Sequence, residues 1–98
     1  MNLLKETLEI LKENNKIQAD VWWCVLDEAH FSWKDFKKLA DIDYDPGYGG
    51  NEIRLSLKVV GQDWWLERGE YDGSEWWEFK TLPKKPIAHR IPIDLKGD

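Results

Sequence analysis

Ninety-eight residues make one domain, large enough to bury a core of its own. Fourteen basic against nineteen acidic residues leave a net charge of −5, which argues against general binding to a phosphate backbone and so against nucleic acid as a partner. The single cysteine, Cys24, closes no intramolecular disulfide, and no apolar run is long enough to cross a bilayer. A cytoplasmic setting without a membrane partner is the expectation.

Leu3, Leu4, Leu8 and Leu11 recur at helical spacing with Lys5, Glu6, Glu9 and Lys12 opposite, so residues 2–14 are predicted as an amphipathic helix capped by Asn2 and stopped at Asn14-Asn15. Val21-Trp22-Trp23-Cys24-Val25-Leu26 is apolar without a break, the pattern of a central strand covered on both faces. His30-Phe31 follows as a short return strand. Ser32 then caps a second helix over residues 33–40, with Asp35 in its first turn and Trp33, Phe36, Leu39 and Ala40 on the buried side.

Residues 41–51 are dense in turn formers and read as a loop. Ile53, Leu55, Leu57 and Val59 alternate with Arg54, Ser56 and Lys58 as a half-buried strand would. Two hairpin turns follow, Gly61-Gln62 and Asp72-Gly73. The first sets Val59 opposite Trp64 and Leu57 opposite Leu66; the second sets Leu66 opposite Phe79 and Arg68 opposite Trp77. Both registers place Ile53, Leu55, Leu57, Val59, Trp64, Leu66, Trp77 and Phe79 on one face. The other face receives Arg54, Ser56, Lys58, Trp65, Glu67, Gly69, Tyr71, Trp76, Glu78 and Lys80, with Trp65 between Lys58 and Lys80 and Trp76 over Gly69.

The fold expected is therefore α+β: two helices on a mainly antiparallel sheet that ends in a three-stranded meander, residues 1–80 forming the domain and residues 81–98 an extended arm. Pro83, Pro86 and Pro92 bar the arm from being a helix or an interior strand, and Ile87, Ile91, Ile93 and Leu95 suit it to lie along the sheet over Trp65 or Trp76. Charge is divided close to the same place. Residues 1–79 carry nine basic and seventeen acidic side chains, a net −8, whereas residues 80–98 carry five and two, a net +3.

Three constellations bear on function. Trp65, Tyr71 and Trp76, flanked by Lys58 and Lys80, form an aromatic face of the kind that anchors a protein interface or stacks on a carbohydrate or other small ligand. Base stacking fits less well, because Glu67 and Glu78 stand among the rings and repel phosphate. In the acidic loop, which also carries Tyr48, Asp41, Asp43, Asp45 and Glu52 occupy positions 1, 3, 5 and 12 of a twelve-residue calcium-loop frame. Pro46 stands at position 6, where that frame needs glycine, so an acidic loop without metal is the default reading. Cys24 lies in an apolar strand where a thiolate is disfavoured, His30 and His89 are far apart, and no phosphate-binding loop is present. Glu67, Glu70, Glu75 and Glu78 approach one another across the hairpin but read as solvated strand charges. Neither a catalytic centre nor a cofactor is expected, and both a monomer and a homodimer fit.

The runs Tyr44-Asp45-Pro46-Gly47-Tyr48-Gly49, Val60-Gly61-Gln62-Asp63-Trp64-Trp65-Leu66-Glu67-Arg68 and Glu70-Tyr71-Asp72-Gly73-Ser74-Glu75-Trp76-Trp77-Glu78-Phe79-Lys80 resemble small uncharacterised proteins of Firmicutes phages and mobile elements. The resemblance implies a genomic setting rather than a set of site residues. By analogy with small acidic phage proteins that block host factors, anti-CRISPR proteins among them, it implies an accessory factor or inhibitor of a host protein.

Overall fold

The computed structural model describes residues 1–47 and 49–97. Helix α1 spans Leu3–Glu13 and begins where the Asn2 side chain accepts from the Lys5 amide. It ends in a Schellman turn. Asn15 takes φ +60°, the Lys16 amide donates to the Leu11 carbonyl at 2.8 Å and the Asn15 amide to the Lys12 carbonyl at 3.1 Å. The buried stripe is Leu3, Thr7 and Leu11, so a threonine rather than Leu8 completes the i, i+4, i+8 line. After a 3₁₀ turn at Gln18–Asp20 come β1 (Trp23–Leu26) and β2 (Ala29–Phe31), then α2 (Trp33–Leu39), whose first turn is closed by Ser32 Oγ accepting from the Asp35 amide. Strands β3 (Lys58–Val60), β4 (Trp64–Tyr71) and β5 (Ser74–Thr81) finish the sheet.

All neighbouring strands are antiparallel, in the order β2-β1-β3-β4-β5. The expected α+β architecture, with its N-terminal helix and closing meander, is what the chain adopts. The second hairpin has the predicted register, Leu66 opposite Phe79 and Arg68 opposite Trp77, turning on Asp72 and Gly73 at φ +50° and +83°. The first hairpin is shifted. Val59 lies opposite Leu66 and Val60 opposite Trp65, because the turn closes between Gly61 and Trp64, whose amide and carbonyl bond at 2.9 Å. A shift of two residues preserves the side-chain parity of a strand, so the assignment of faces survives a wrong register.

Three other expectations are corrected. The strand predicted from Ile53 is confined to Lys58–Val60; Ile53 and Leu57 are buried, but the irregular backbone between them leaves Leu55 exposed. Strand β1 lies inside the sheet between β2 and β3, yet it is covered on one face only, and Trp23 on the other is 39% exposed. Leu39, placed on the buried side of α2, is exposed, because the helix turns Phe36 and Ala40, four residues apart, to the core and leaves Leu39 off that line.

Both helices pack on the same face. Leu3 and Leu11 of α1 and Phe36 of α2 join Cys24, Val59, Trp64, Leu66 and Trp77 of the sheet in one core. The segment after α2 is bound to the start of the chain: the Leu3 amide donates to the Ile42 carbonyl, the Leu4 amide to that of Ala40 and the Tyr44 amide to that of Met1. From Leu82 to Gly97 every residue is exposed, so the arm lies over neither Trp65 nor Trp76. Among the described residues its one hydrogen bond to the body is the Leu82 amide donating to the Asp63 carbonyl.

Candidate functional site

Strand pairing sets out the uncovered face row by row. Trp23, Val60, Trp65 and Lys80 lie side by side across β1, β3, β4 and β5. The next row is His30, Val25, Lys58, Glu67 and Glu78. Beyond it Gly69 faces Trp76, and Tyr71 faces Ser74 at the hairpin tip. The first row is thus a band of two indoles and a valine spanning three strands. Trp22 extends it, with its ring 5.8 Å from that of Trp23.

The predicted interaction residues fall on this face, in a different arrangement. Trp65 is half-buried between Val60 and Lys80, because the register shift moves Lys58 one row along. Its indole N–H donates to Glu67 Oε1 at 2.7 Å. Trp76 is 37% exposed and lies over Gly69, where an added Cβ would sit 2.8 Å from Trp76 Nε1 and from Glu78 Oε1. Tyr71 is exposed at the tip, too far along the strand to join the Trp65 row. Sequence reasoning missed Trp23 and Val60. Unbroken apolarity in β1 suggested cover on both sides, and the signal that argues otherwise is the shortage of elements: two helices cannot cover two faces of five strands.

The four hairpin glutamates divide by parity. Glu67 and Glu78 pair on the open face beside Lys58, while Glu70 and Glu75 pair on the helix face. Glu75 is buried there. Its carboxylate accepts from the Glu52 amide at 2.7 Å, the Ile53 amide at 3.0 Å and Arg68 at 3.1 Å. Arg68 also donates to the Tyr44 hydroxyl and to Glu6, and its guanidinium stands over the Trp77 and Tyr44 rings, with Nε buried and unpartnered. Tyr44 in turn donates to Glu6. Burial, and then the Glu6 carboxylate, push the Tyr44 hydroxyl up to about 12 from its ordinary 10.0, although Arg68 pulls the other way. Each polar group in this cluster binds one segment of the chain to another, which is a structural role.

The acidic loop is divided between unrelated tasks. Asp41 and Asp43 accept from the Asn2 side chain, Asp45 accepts from the Gly47 amide, and Glu52 accepts from the Asp45 amide. No three carboxylates, histidines or cysteines converge among the described residues, so Asp41, Asp43, Asp45 and Glu52 do not assemble the calcium frame. Tyr48 lies outside the described residues. Cys24 is fully buried, and desolvation pushes its thiol up to about 12, the opposite of what a nucleophile requires.

A cleft of about 290 Å³ opens on the helix side, lined by Leu26, Phe31, Phe36 and Leu57. Two charged residues reach its lining, Glu52 and Arg54, and Arg54 is engaged by Asp27 at 2.6 Å. Comparison with protein-family models, with curated proteins and with solved structures finds no match.

Proposed function

We propose that this chain is a non-catalytic protein-interaction domain that binds its partner through the uncovered face of the sheet. The observation behind the proposal is the band Trp23–Val60–Trp65, a contiguous apolar strip on a face that no helix or arm shields. Contiguous apolar surface of this kind usually signifies contact, and tryptophan is foremost among residues that anchor interfaces. Lys58, Lys80, Glu67 and Glu78 around it supply the polar rim, and the acidic loop adds charge complementarity at the far end of the molecule. The setting suggested by the sequence resemblance, a phage or mobile-element accessory factor inhibiting a host protein in the host cytoplasm, is the biological form of this proposal.

Carbohydrate binding on the same rings is the weaker reading. Sugar recognition requires free polar groups beside the ring planes, and Glu67 is already spent on the Trp65 indole.

The test is affinity capture from a Firmicutes host lysate, with retained proteins identified by mass spectrometry. Wild type is compared with a Trp23→Ala, Trp65→Ala, Trp76→Ala triple variant whose fold is verified by circular dichroism. A host protein retained by wild type and lost by the variant is expected. Equal retention by a folded variant would remove the sheet face from the proposal, and a glycan-array signal without protein capture would favour the sugar reading.

A further inference from the structure

The sheet ends in a free edge at β5. In a two-residue hairpin the residues flanking the turn, here Tyr71 and Ser74, exchange backbone bonds, so the even-numbered residues of β5 point their N–H and C=O groups at β4. The odd-numbered residues point outward, as the Glu75 amide does in donating to the Pro46 carbonyl at 2.7 Å. Past that contact no backbone bond reaches Trp77, Phe79 or Thr81 from outside the sheet among the described residues. An unpaired edge of this length is a template for another strand.

The arm has the complementary pattern. Ile87, His89, Ile91, Ile93 and Leu95 alternate with Ala88, Arg90, Pro92, Asp94 and Lys96, a period of two with four aliphatic residues on one side. Those four are 84–105% exposed in the free chain. Pro86 and Pro92 both fall on the even positions. Proline has no N–H and is tolerated where that position faces away from the ladder, so this strand can bond only through its odd residues and only as an edge strand.

The two parities meet in one arrangement. In an antiparallel pair, residues that exchange hydrogen bonds lie opposite each other and project to the same face. Odd arm residues set against odd β5 residues therefore place Ile87, Ile91, Ile93 and Leu95 beside Trp77 and Phe79, on the helix side where Phe79 is half-buried. Arg90 and Lys96 fall on the face that carries Glu67 and Glu78. A parallel pairing would put the aliphatic residues on the opposite face, among Glu78 and Lys80.

We propose that residues 87–95 of one copy add as an antiparallel strand to the β5 edge of a second copy, and reciprocally, forming an arm-exchanged homodimer. The arm leaves in line with β5, the Leu82–Asp63 bond prolonging the ladder by one residue, and Pro83 and Pro86 hold the following segment extended. A chain continuing straight on meets a two-fold-related β5 in the antiparallel sense. Charge favours the same exchange, since each body carries −7 over residues 1–80 and each arm +2 over residues 81–98. The edge is separate from the aromatic face, so the dimer leaves that face free and stands or falls independently of the partner reading.

Sedimentation velocity on the full chain, with amide hydrogen exchange, tests this. Wild type is expected to dimerise with rising concentration, and the Phe79 and Thr81 amides to gain protection in parallel. Ala88→Pro, on an outward-facing position, retains the dimer; His89→Pro, which removes a ladder donor, weakens it about tenfold. Both positions lie in the exposed arm, so neither substitution disturbs the body. A chain that stays monomeric at several hundred micromolar overturns the proposal. So do equal responses to the two prolines, or concentration-independent protection, which would mean that the arm folds back on its own β5.

Discussion

The two faces of this sheet are made from the same residue types and use them differently. On the helix face, polar side chains join distant parts of the chain: Trp77 donates to Thr7 across 70 residues, Arg68 to Glu6 across 62, and Glu75 accepts from the Ile53 amide 22 residues away. On the open face the Trp65 indole is satisfied by Glu67, two residues along the same strand. Long-range bonds of the first kind are lost on unfolding and so belong to the fold. A local bond of the second kind fixes a ring in place without binding the domain together, which leaves that ring available as a surface.

This contrast can be broken most directly at Arg68. Its side chain is fully buried with Glu75, and removing one member of such a pair leaves an uncompensated charge in the core. Arg68→Ala is expected to destabilise by about 3–5 kcal/mol, read as a lower urea midpoint. Arg68→Met combined with Glu75→Gln removes both charges and recovers part of that loss. A single variant within about 1 kcal/mol of wild type would mean that the cluster is not what binds α1, the loop and the hairpin together.

Adjacent residues sharpen the same comparison. Trp64 is 2% exposed and stacks on Phe79, while Trp65, its neighbour, projects to the open side. Trp64→Ala should cost about 3–5 kcal/mol, as large core truncations do. Trp65→Ala should cost about 1 kcal/mol, since the ring is only partly buried and projects to the open side rather than into the core. Comparable losses in urea titrations would show that both faces serve the fold, and the interaction reading would lose its basis.

How far the sequence carried this division depends on which signals are local. Strand parity is local, so a first hairpin placed two residues out of register still sorted Trp64 from Trp65, and the second, in its predicted register, sorted Trp77 from Trp76. Caps are local too, and Asn2 and Ser32 act as their residue types suggest. Coverage is not local. Nothing in Val21–Leu26 says whether one face or two will be buried, and nothing in the arm says whether its aliphatic residues find the body. The buried cluster was half-legible: parity already set Arg68 opposite Trp77 on the core side, but the carboxylate and hydroxyl that receive it come from residues 6, 44 and 75, which only the folded chain brings together.

The smallest effect at neutral pH concerns the neutral groups of the covered face. Tyr44 and Cys24 are both pushed up to about 12, from ordinary values of 10.0 and 9.0, with burial the largest cause for each. A raised folded value means that the native state keeps its proton while the unfolded chain releases it. The stabilisation is therefore complete below pH 9 and is lost as pH rises toward 12. Urea midpoints should be flat in this respect at neutral pH and fall through that alkaline window. Cys24→Ala should flatten the part that begins near pH 9 and Tyr44→Phe the part that begins near pH 10. If Tyr44→Phe leaves the alkaline fall unchanged, the hydroxyl beside Glu6 and Arg68 is not locked in the way the buried cluster requires.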